Sequence, residues 1–429
     1  MRNTLPTYST VLQPTLEHSP RADETSFGPM QGREVAGVSD LRTYRLAVLS
    51  SHPIQYYGPL FRELAKVVDL HVLFAHRASG RDQARAGFET AFDWDVDLTS
   101  GYSHAFLDNV AHRPGTDHFL GCDTPGIGAN LRQGRYDAVL VQGWHLKSYL
   151  QGLLAAKRLG LPVLVRGDSH LITGRSALKR SAKAIAYPPF LRLFDAALYV
   201  GERSRAYYRH YGYPAERLFF SPHCVDTDWF AGRATDEARA RLRARLGLAP
   251  TARALLFAGK LVAFKRPLDV IAAAALCRAR GQDVQVIVAG EGEQRGSVTE
   301  AAANAEVPLH MLGFCNQTEM PPAYAAADLL VLPSDGRETW GLVANEALAC
   351  GRPVLLSDAC GCAADLARGG QAGAAFAFGK VEALADRVMA MIAEPPNSDA
   401  IRSLSKSYSI EAAILGIRLA IGHLQQAGR

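Results

Sequence analysis

The sequence predicts an α/β protein built from two doubly wound parallel-sheet domains facing a cleft. Three observations carry that prediction. Short apolar strands alternate with helical stretches through most of the chain. The alternation runs twice, broken by an arginine-rich stretch near residue 240. The 429 residues are too many for one ordinary core and suit two domains of about 150–200 residues.

Residues 1–42 lack apolar periodicity, are dotted with Pro, Gly, Ser and Thr, and are expected to form a flexible extension. The first domain is expected over 43–222, opening with the buried strand in YRLAVLS. Strand-like runs follow at 70–75, 138–142, 163–166, 196–200 and 218–221, with helical stretches at 60–67, 147–159 and 176–193. The second domain is expected over 223–407. Its strands read at 254–258, 285–289, 309–312, 329–333 and 354–357, with helices at 267–280 and 341–350. A final helix over 408–429 is expected to complete the first domain. Arg239, Arg241, Arg243 and Arg245 alternate at period two, which reads as a solvated helix leading into the second domain.

Composition narrows the function classes. Hydrophobic residues at 48% and charged residues at 21% describe a globular chain. A net charge of +5 favours phosphorylated ligands or an anionic membrane surface but is too small to argue for nucleic acid. No apolar run approaches the ~20 residues of a membrane-spanning helix, and the N-terminus lacks a secretory signal pattern. The seven cysteines are scattered, and Cys360-Gly361-Cys362 does not have zinc-pair spacing. Reduced thiols in the cytoplasm are expected. The stretch 178–194 mixes Lys179, Arg180, Lys183 and Arg192 with Tyr187, Phe190 and Phe194; a helix packed on its own sheet is favoured over peripheral contact with the inner face of the cell membrane.

The most informative segment is LLVLPSDGRETWGLVANEALACGRPVLLSD. A buried strand ends at Pro333-Ser334, a polar loop follows, and a helix runs from near Gly341 to Cys350, where Gly351 supplies a left-handed cap. Amides near Gly341 and Leu342, with the helix dipole, make an anion site. Glu338 precedes the helix and Glu346 lies inside it. A nucleotide sugar carries two hydroxyl-rich parts around a diphosphate, so one carboxylate suits the sugar and the other the ribose. A single Glu-x7-Glu match is otherwise two surface carboxylates.

The second segment is LLFAGKLVAFKRPLDVI. Its strand runs into Gly259, Lys260 and Lys265, and a helix starts at Pro267. Two cations at a strand's carboxyl end are placed to neutralise a diphosphate, each contact worth on the order of 1.5–3 kcal/mol.

Together these segments resemble the retaining family 4 glycosyltransferases (glycosyl transferases group 1). The shared landmarks are Gly259-Lys260-Leu261 with Lys265, Gly290 and Gly292 in VIVAGEGEQR, Leu312–Phe314, AYAAADLLVLPS, and Glu338 with Glu346. The resemblance implies a GT-B fold, a nucleotide-diphosphate sugar donor, a glycan or lipid-linked acceptor, retention of anomeric configuration, and no cofactor or divalent metal. It implies polysaccharide or glycolipid biosynthesis as the setting. It assigns Lys260 and Lys265 to the diphosphate, Glu338 to the donor sugar and Glu346 to the ribose, with Gly259, Thr339, Trp340, Gly341 and Leu342 completing the donor site.

The first domain matches less tightly. Where relatives often carry a glycine-rich loop, only Gly58 remains, beside Tyr56 and Tyr57. In LPVLVRGDSH, Asp168 occupies the place of a His found in many relatives, with His170 two residues on. Asp168 could order the acceptor hydroxyl, support a developing oxocarbenium charge, or cap a helix; His145 is a second candidate. The catalytic set expected is therefore Lys265, Glu338 and Asp168. Gly290, Gly292 and Gly296 imitate a dinucleotide fingerprint with the third glycine one residue late, and Leu312 stands where its acid belongs. Asp93, Asp95 and Asp97 in DWDVD read as exposed strand carboxylates, not a metal site. Two other readings stand beside glycosyl transfer: a nucleotide-sugar epimerase and a non-catalytic nucleotide-sugar binder.

Overall fold

Apolar runs too short for helices and bounded by turn residues become strands buried on both faces. A computed structural model describes residues 41–80, 91–172 and 177–427. The expected flexible extension therefore lies almost wholly outside the described residues, as does the start of the helix expected from 176. The first sheet has seven strands in the order β3-β2-β1-β4-β5-β6-β7. These are β1 (Arg45–Ser50), β2 (Asp69–Phe74), β3 (Ser103–Phe106), β4 (Ala138–Val141), β5 (Val163–Gly167), β6 (Ala196–Tyr199) and β7 (Leu218–Phe220). All its pairings are parallel, with Leu46 opposite Leu70 on one side and Ala138 on the other. Its helices are α1 (Tyr57–Leu64), α2 (Ile127–Gly134), α3 (Lys147–Arg158), α4 (Ala177–Leu191) and α5 (Glu202–His210).

The second sheet has six parallel strands in the order β10-β9-β8-β11-β12-β13. They are β8 (Arg253–Ala258), β9 (Val284–Ala289), β10 (Leu309–Gly313), β11 (Leu329–Leu332), β12 (Val354–Ser357) and β13 (Gly373–Phe376). Helices α6 (Thr227–Ala231) and α7 (Asp236–Arg245) lead into it. Around it lie α8 (Pro267–Ala279), α9 (Arg295–Asn304), α10 (Met320–Ala326), α11 (Val343–Ala349), α12 (Ala363–Leu366) and α13 (Val381–Ala393). Leu256, Leu330 and Leu356 enter one core while Leu255, Val331 and Leu355 enter another, so helices cover both faces. Both sheets belong to one compact unit. After α14 (Ser398–Ser407), helix α15 (Ile410–Ala427) returns to the first sheet, where Ile417, Ile421 and Leu424 join the core of Leu46, Val48 and Phe61.

Two expectations are corrected here. The arginine run does not make a wholly solvated helix: Arg239 and Arg243 are one turn apart and turn inward. Arg239 donates to the carbonyls of Ala325 and Ala327 at 2.6 and 2.8 Å, and Arg243 to those of Ala326 and Ala252 at 3.0 and 2.7 Å. Both pair with Asp328, which also accepts from the amide of Ala254, while Arg241 and Arg245 stay exposed. Period two placed on a helix separates two such faces, and only one is wet.

DWDVD is a loop, not a strand, and it straps the first domain to the second. Phe92 packs on Phe314 with ring centroids 4.2 Å apart, and Asn316 Nδ2 donates to the Asp93 carbonyl at 2.9 Å. Asp95 accepts from the amide and hydroxyl of Thr318, and Asp97 accepts from the amides of Thr99 and Ser100. In α4 the aromatic residues turn inward together with Lys183. Tyr187 and Phe190 pack on Trp144, and Lys183 donates to Tyr207 Oη at 3.1 Å, whereas Leu178 and Ile185 stay 81% and 80% exposed. All seven cysteines are free thiols, with Cys360 and Cys362 sulfurs in contact at 3.7 Å.

Candidate active site

Doubly wound sheets leave polar loop groups at the carboxyl ends of their strands, and both sheets do so at the cleft. In the second domain, β8 ends on Gly259, whose amide donates to Ala289 O at 2.9 Å, while the amide of Leu261 donates to Glu291 O at 2.8 Å. This backbone stacking explains Gly290: a Cβ there would lie 1.8 Å from Gly259 O. The two glycines of VIVAGEGEQR thus let the loop bearing the lysines lie flat on its neighbour.

The loop turns through Ala263–Lys265 and enters α8 at Pro267. It presents Lys265 to Glu338: the ammonium donates to Oε2 of the carboxylate, which also accepts from Ser334 Oγ at 3.3 Å. Both side chains are largely buried, at 13% and 14% exposure. Lys260 stands beside them, and burial, with the Lys265 charge behind it, lowers its pKa against the pull of Glu338. Two lysines thus stand together at the carboxyl end of β8, an arrangement that suits an anionic ligand.

The loop 338–341 is held from below. Gly361 N donates to Glu338 O and Cys362 N to Trp340 O, and a Cβ on Gly361 would meet Thr339 O at 1.9 Å. Trp340 is buried, donates from Nε1 to Asn345 Oδ1 at 2.8 Å, and packs on His223 and Tyr408. Gly341 has φ +101 at the turn into α11, and Leu342 caps that helix. The predicted stop is found: Gly351 has φ +70, and the next amide donates back to Ala347 O. Glu346 lies inside α11 at 8% exposure, accepting from Tyr324 Oη at 2.6 Å. Burial raises its pKa to about 7, although the Tyr324 bond works the other way.

In the first domain, the carboxyl ends of β1, β4 and β5 enclose a cavity of about 270 Å³. Its wall includes His52, Tyr56 and Tyr57 after β1, Gln142 to His145 after β4, and Arg166 to Ser169 at the end of β5. Asp168 faces this cavity with 41% of its side chain accessible. It accepts from Thr339 Oγ1 at 2.7 Å, and His223 Nε2 stands 3.9 Å away. Burial favours its neutral form, but the pull of His223 and the Thr339 hydroxyl outweighs that and holds the carboxyl well below the usual carboxylate range. Burial lowers the pKa of His223 and of His145 despite Asp168, so both imidazoles are neutral and the carboxylate is ionised at pH 7.

Asp168, Thr339, Glu338 and Lys265 therefore come together across the cleft, with His145 in the cavity wall. Three further sequence candidates take no direct part in this meeting. Gly58 is in α1, where a Cβ would lie 3.0 Å from Leu98 O, outside the cavity wall, which its neighbours Tyr56 and Tyr57 form instead. His170 is buried under the loop and accepts from Ile172 N at 3.2 Å. Glu346 lies beneath the donor loop against α10. Sequence reasoning missed His223, Arg166 and Gln142. Their one signal was position: Gln142 follows β4 directly, His223 comes three residues after the end of β7, and Arg166 is the lone charge in a buried strand. Arg166 is 3% exposed and donates to Pro222 O at 2.5 Å and to Tyr57 Oη at 3.4 Å. Among the described residues no cluster of three or more His, Cys, Asp or Glu is arranged to hold a metal ion.

Comparison with known proteins adds to this geometry. The family model described as Glycosyl transferases group 1 matches residues 238–407. A D-inositol 3-phosphate glycosyltransferase of Xylanimonas cellulosilytica is 29% identical over 245 residues, 53% of this chain and 57% of that protein. D-inositol 3-phosphate glycosyltransferase 1 of Catenulispora acidiphila is 30% identical over 289 residues, 63% of this chain and 67% of that one. The chain spans about half the length of the first curated relatives it matches. Anabaena Alr3699/HepE, solved in complex with UDP, superposes with a TM-score of 0.67 at 18% identity, covering 89% of this chain and 100% of that one. The two facing Rossmann-like domains are thus of the GT-B type.

Proposed function

We propose, from the premise that this chain belongs to the Glycosyl transferases group 1 family, that it moves a sugar from a nucleotide-diphosphate sugar to an acceptor hydroxyl with retention. The observation that carries the reading is the meeting of the Lys265–Glu338 corner with the rim of the first-domain cavity, through Thr339 and Asp168. The diphosphate lies against Lys260 and Lys265, the transferred sugar against Glu338, and the acceptor in the cavity beside Asp168. The bond from the sugar's anomeric carbon to the diphosphate breaks, and its electron pair leaves with the diphosphate. The acceptor oxygen bonds to that carbon on the same face, and its proton passes to the departing phosphate oxygen. The lysines stabilise the charge that appears there; Asp168 orients the acceptor hydroxyl and supports the positive charge on the sugar. The cations already supply what a divalent metal would bring, so no metal and no cofactor takes part. HepE was solved with UDP and the relatives are named for an inositol phosphate, which supports UDP-sugars and phosphorylated polyols as the first candidates.

The test is release of nucleoside diphosphate from a panel of nucleotide sugars, with and without candidate acceptors. Acceptor-dependent release is expected, in excess chelator as well as without it. An epimerase would convert donor with no acceptor, and a binder would do neither. NMR of the anomeric proton should show the donor's configuration in the product. An inverted product would overturn retention, and loss of activity in chelator would overturn metal independence.

Glu338 and Glu346 separate by binding. Glu346→Gln should weaken nucleoside diphosphate and nucleotide sugar alike, and Glu338→Gln mainly the nucleotide sugar, as calorimetry would report. Two variants that bind both ligands like wild type would remove both assignments. Burial also gives Glu346 a stability signature. A carboxyl whose folded pKa is raised binds its proton more tightly folded than unfolded, so this group lowers stability as pH rises from about 4.5 to about 7. Glu346→Gln should therefore melt above wild type at pH 8, by at most about 3 kcal/mol of stability, with the gap closing towards pH 4.5.

The exposed start of α4 favours a membrane-bound acceptor. Leu178 and Ile185 lie two turns apart on one face, beside the exposed Lys179 and Arg180. Burying each aliphatic chain contributes about 1.5–3 kcal/mol, and each cation near an anionic bilayer about 1 kcal/mol. Among the described residues no helix is long and apolar enough to cross a membrane, so contact would be peripheral. Wild type should sediment with vesicles containing phosphatidylglycerol and not with pure phosphatidylcholine. Undiminished binding by a Leu178→Glu, Ile185→Glu double variant would exclude this face.

A further inference from the structure

Consecutive residues on a tight loop point their side chains in different directions, and here two of them serve opposite halves of the cleft. Glu338 turns to Lys265 in the second domain, while Thr339 turns to Asp168 in the first. The peptide between them is fixed. Glu338 O accepts from Gly361 N, Thr339 O occupies the space a Gly361 side chain would take, and Trp340 is anchored by Asn345. Asn345 in turn donates from Nδ2 to His223 O at 3.1 Å, which ties the donor loop to the residue on the other side of Asp168.

We propose that Thr339 is a positioning residue whose hydroxyl sets the Asp168 carboxylate over the acceptor cavity from the donor loop, so that one hydrogen bond across the cleft joins the two halves of the site. The inference rests on the glycosyl-transfer reading above. Asp168 has no other hydroxyl donor at hydrogen-bond distance among the described residues. His223 Nε2 stands 3.9 Å away, beyond direct hydrogen-bond distance, and His145, Tyr56 and Tyr57 stand near the carboxylate without bonding it. Without Thr339 the carboxylate is free to rotate about its side-chain torsions, and an acceptor hydroxyl that depends on its direction is misaligned. The chain thereby makes acceptor alignment conditional on the donor loop being in place.

A double-mutant cycle tests this with Thr339→Val, Asp168→Asn and the pair, using the donor and acceptor found by the diphosphate-release panel. Thr339 is exposed, so the near-isosteric valine leaves the fold intact. Turnover should fall about tenfold in Thr339→Val with the KM for donor unchanged, and Thr339→Ser should restore it. In the Asp168→Asn background, Thr339→Val should cost less than a further twofold. Independent, multiplying losses, or no rescue by serine, would overturn the proposal. Melting temperatures of the same four proteins need no substrate and should also be non-additive; additive melts would show that the bond carries no coupling. A wild type that releases no diphosphate from any donor would overturn glycosyl transfer, while the melting cycle would still decide whether the two residues are joined.

Discussion

Lys265→Ala should lower turnover at saturating donor by about 10²–10³-fold while changing nucleoside diphosphate affinity only a few-fold. The lysine reaches the corner from the Ala263–Lys265 turn and is already paired with Glu338, so its position is set before substrate arrives. A preorganised cation contributes most where charge develops, and that charge appears on the departing diphosphate as the sugar bond breaks. In the ground state Lys260 and the loop amides can hold much of the nucleotide without it. The measurements are turnover under saturation and nucleotide titration by calorimetry. Wild-type turnover in the variant would remove Lys265 from the mechanism, and equal losses in both would make it a binding residue only.

Asp168→Asn should reduce transfer by about 10²-fold or more with donor binding intact. The substitution keeps a side chain of the same shape beside Thr339 and removes the charge that faces the acceptor and the developing oxocarbenium. Because hydrogen bonding and His223 hold the carboxyl well below its usual range, Asp168 stays ionised throughout pH 5–9 and should contribute no limb to the rate profile there. The sign of its stability effect follows. A depressed folded pKa stabilises above the unfolded value of about 3.9 and is lost as pH falls below it. The melting difference between wild type and variant should therefore be constant at neutral pH and shrink on acidification below about pH 4. A variant that transfers as well as wild type would end the role given to Asp168.

The parallel strands were legible because apolar runs such as LAVLS and LLVL can only be buried, and burial on both faces demands covering helices. The edge strands Ser103–Phe106 and Gly373–Phe376 were not, since one opens on the polar pair Ser103-His104 and the other is small and glycine-led. The donor corner was legible because its chemistry is local: Lys260, Lys265, Glu338 and the helix stop at Gly351 all sit in short, patterned segments. The acceptor side is assembled from three strand ends and His223, residues more than 170 positions apart in the chain, and no local pattern announces that juxtaposition. DWDVD and the arginine run failed for a related reason. Spacing alone does not say which partner, Thr318 or Asp328, waits on another element.

The return of α15 to the first sheet has a consequence for biosynthesis. Ile417, Ile421 and Leu424 cover Leu46, Val48 and Phe61, so the first domain cannot close its core when its last strand is made. Between Phe220 and Ile410 the ribosome adds 190 residues (410 − 220), which takes roughly 10–40 s at about 5–20 residues per second. During that interval an apolar face of the nascent sheet waits uncovered while the second domain is free to fold around its own core. The early domain is thus the late one to finish, and it is the part of the nascent chain that chaperones would be expected to hold.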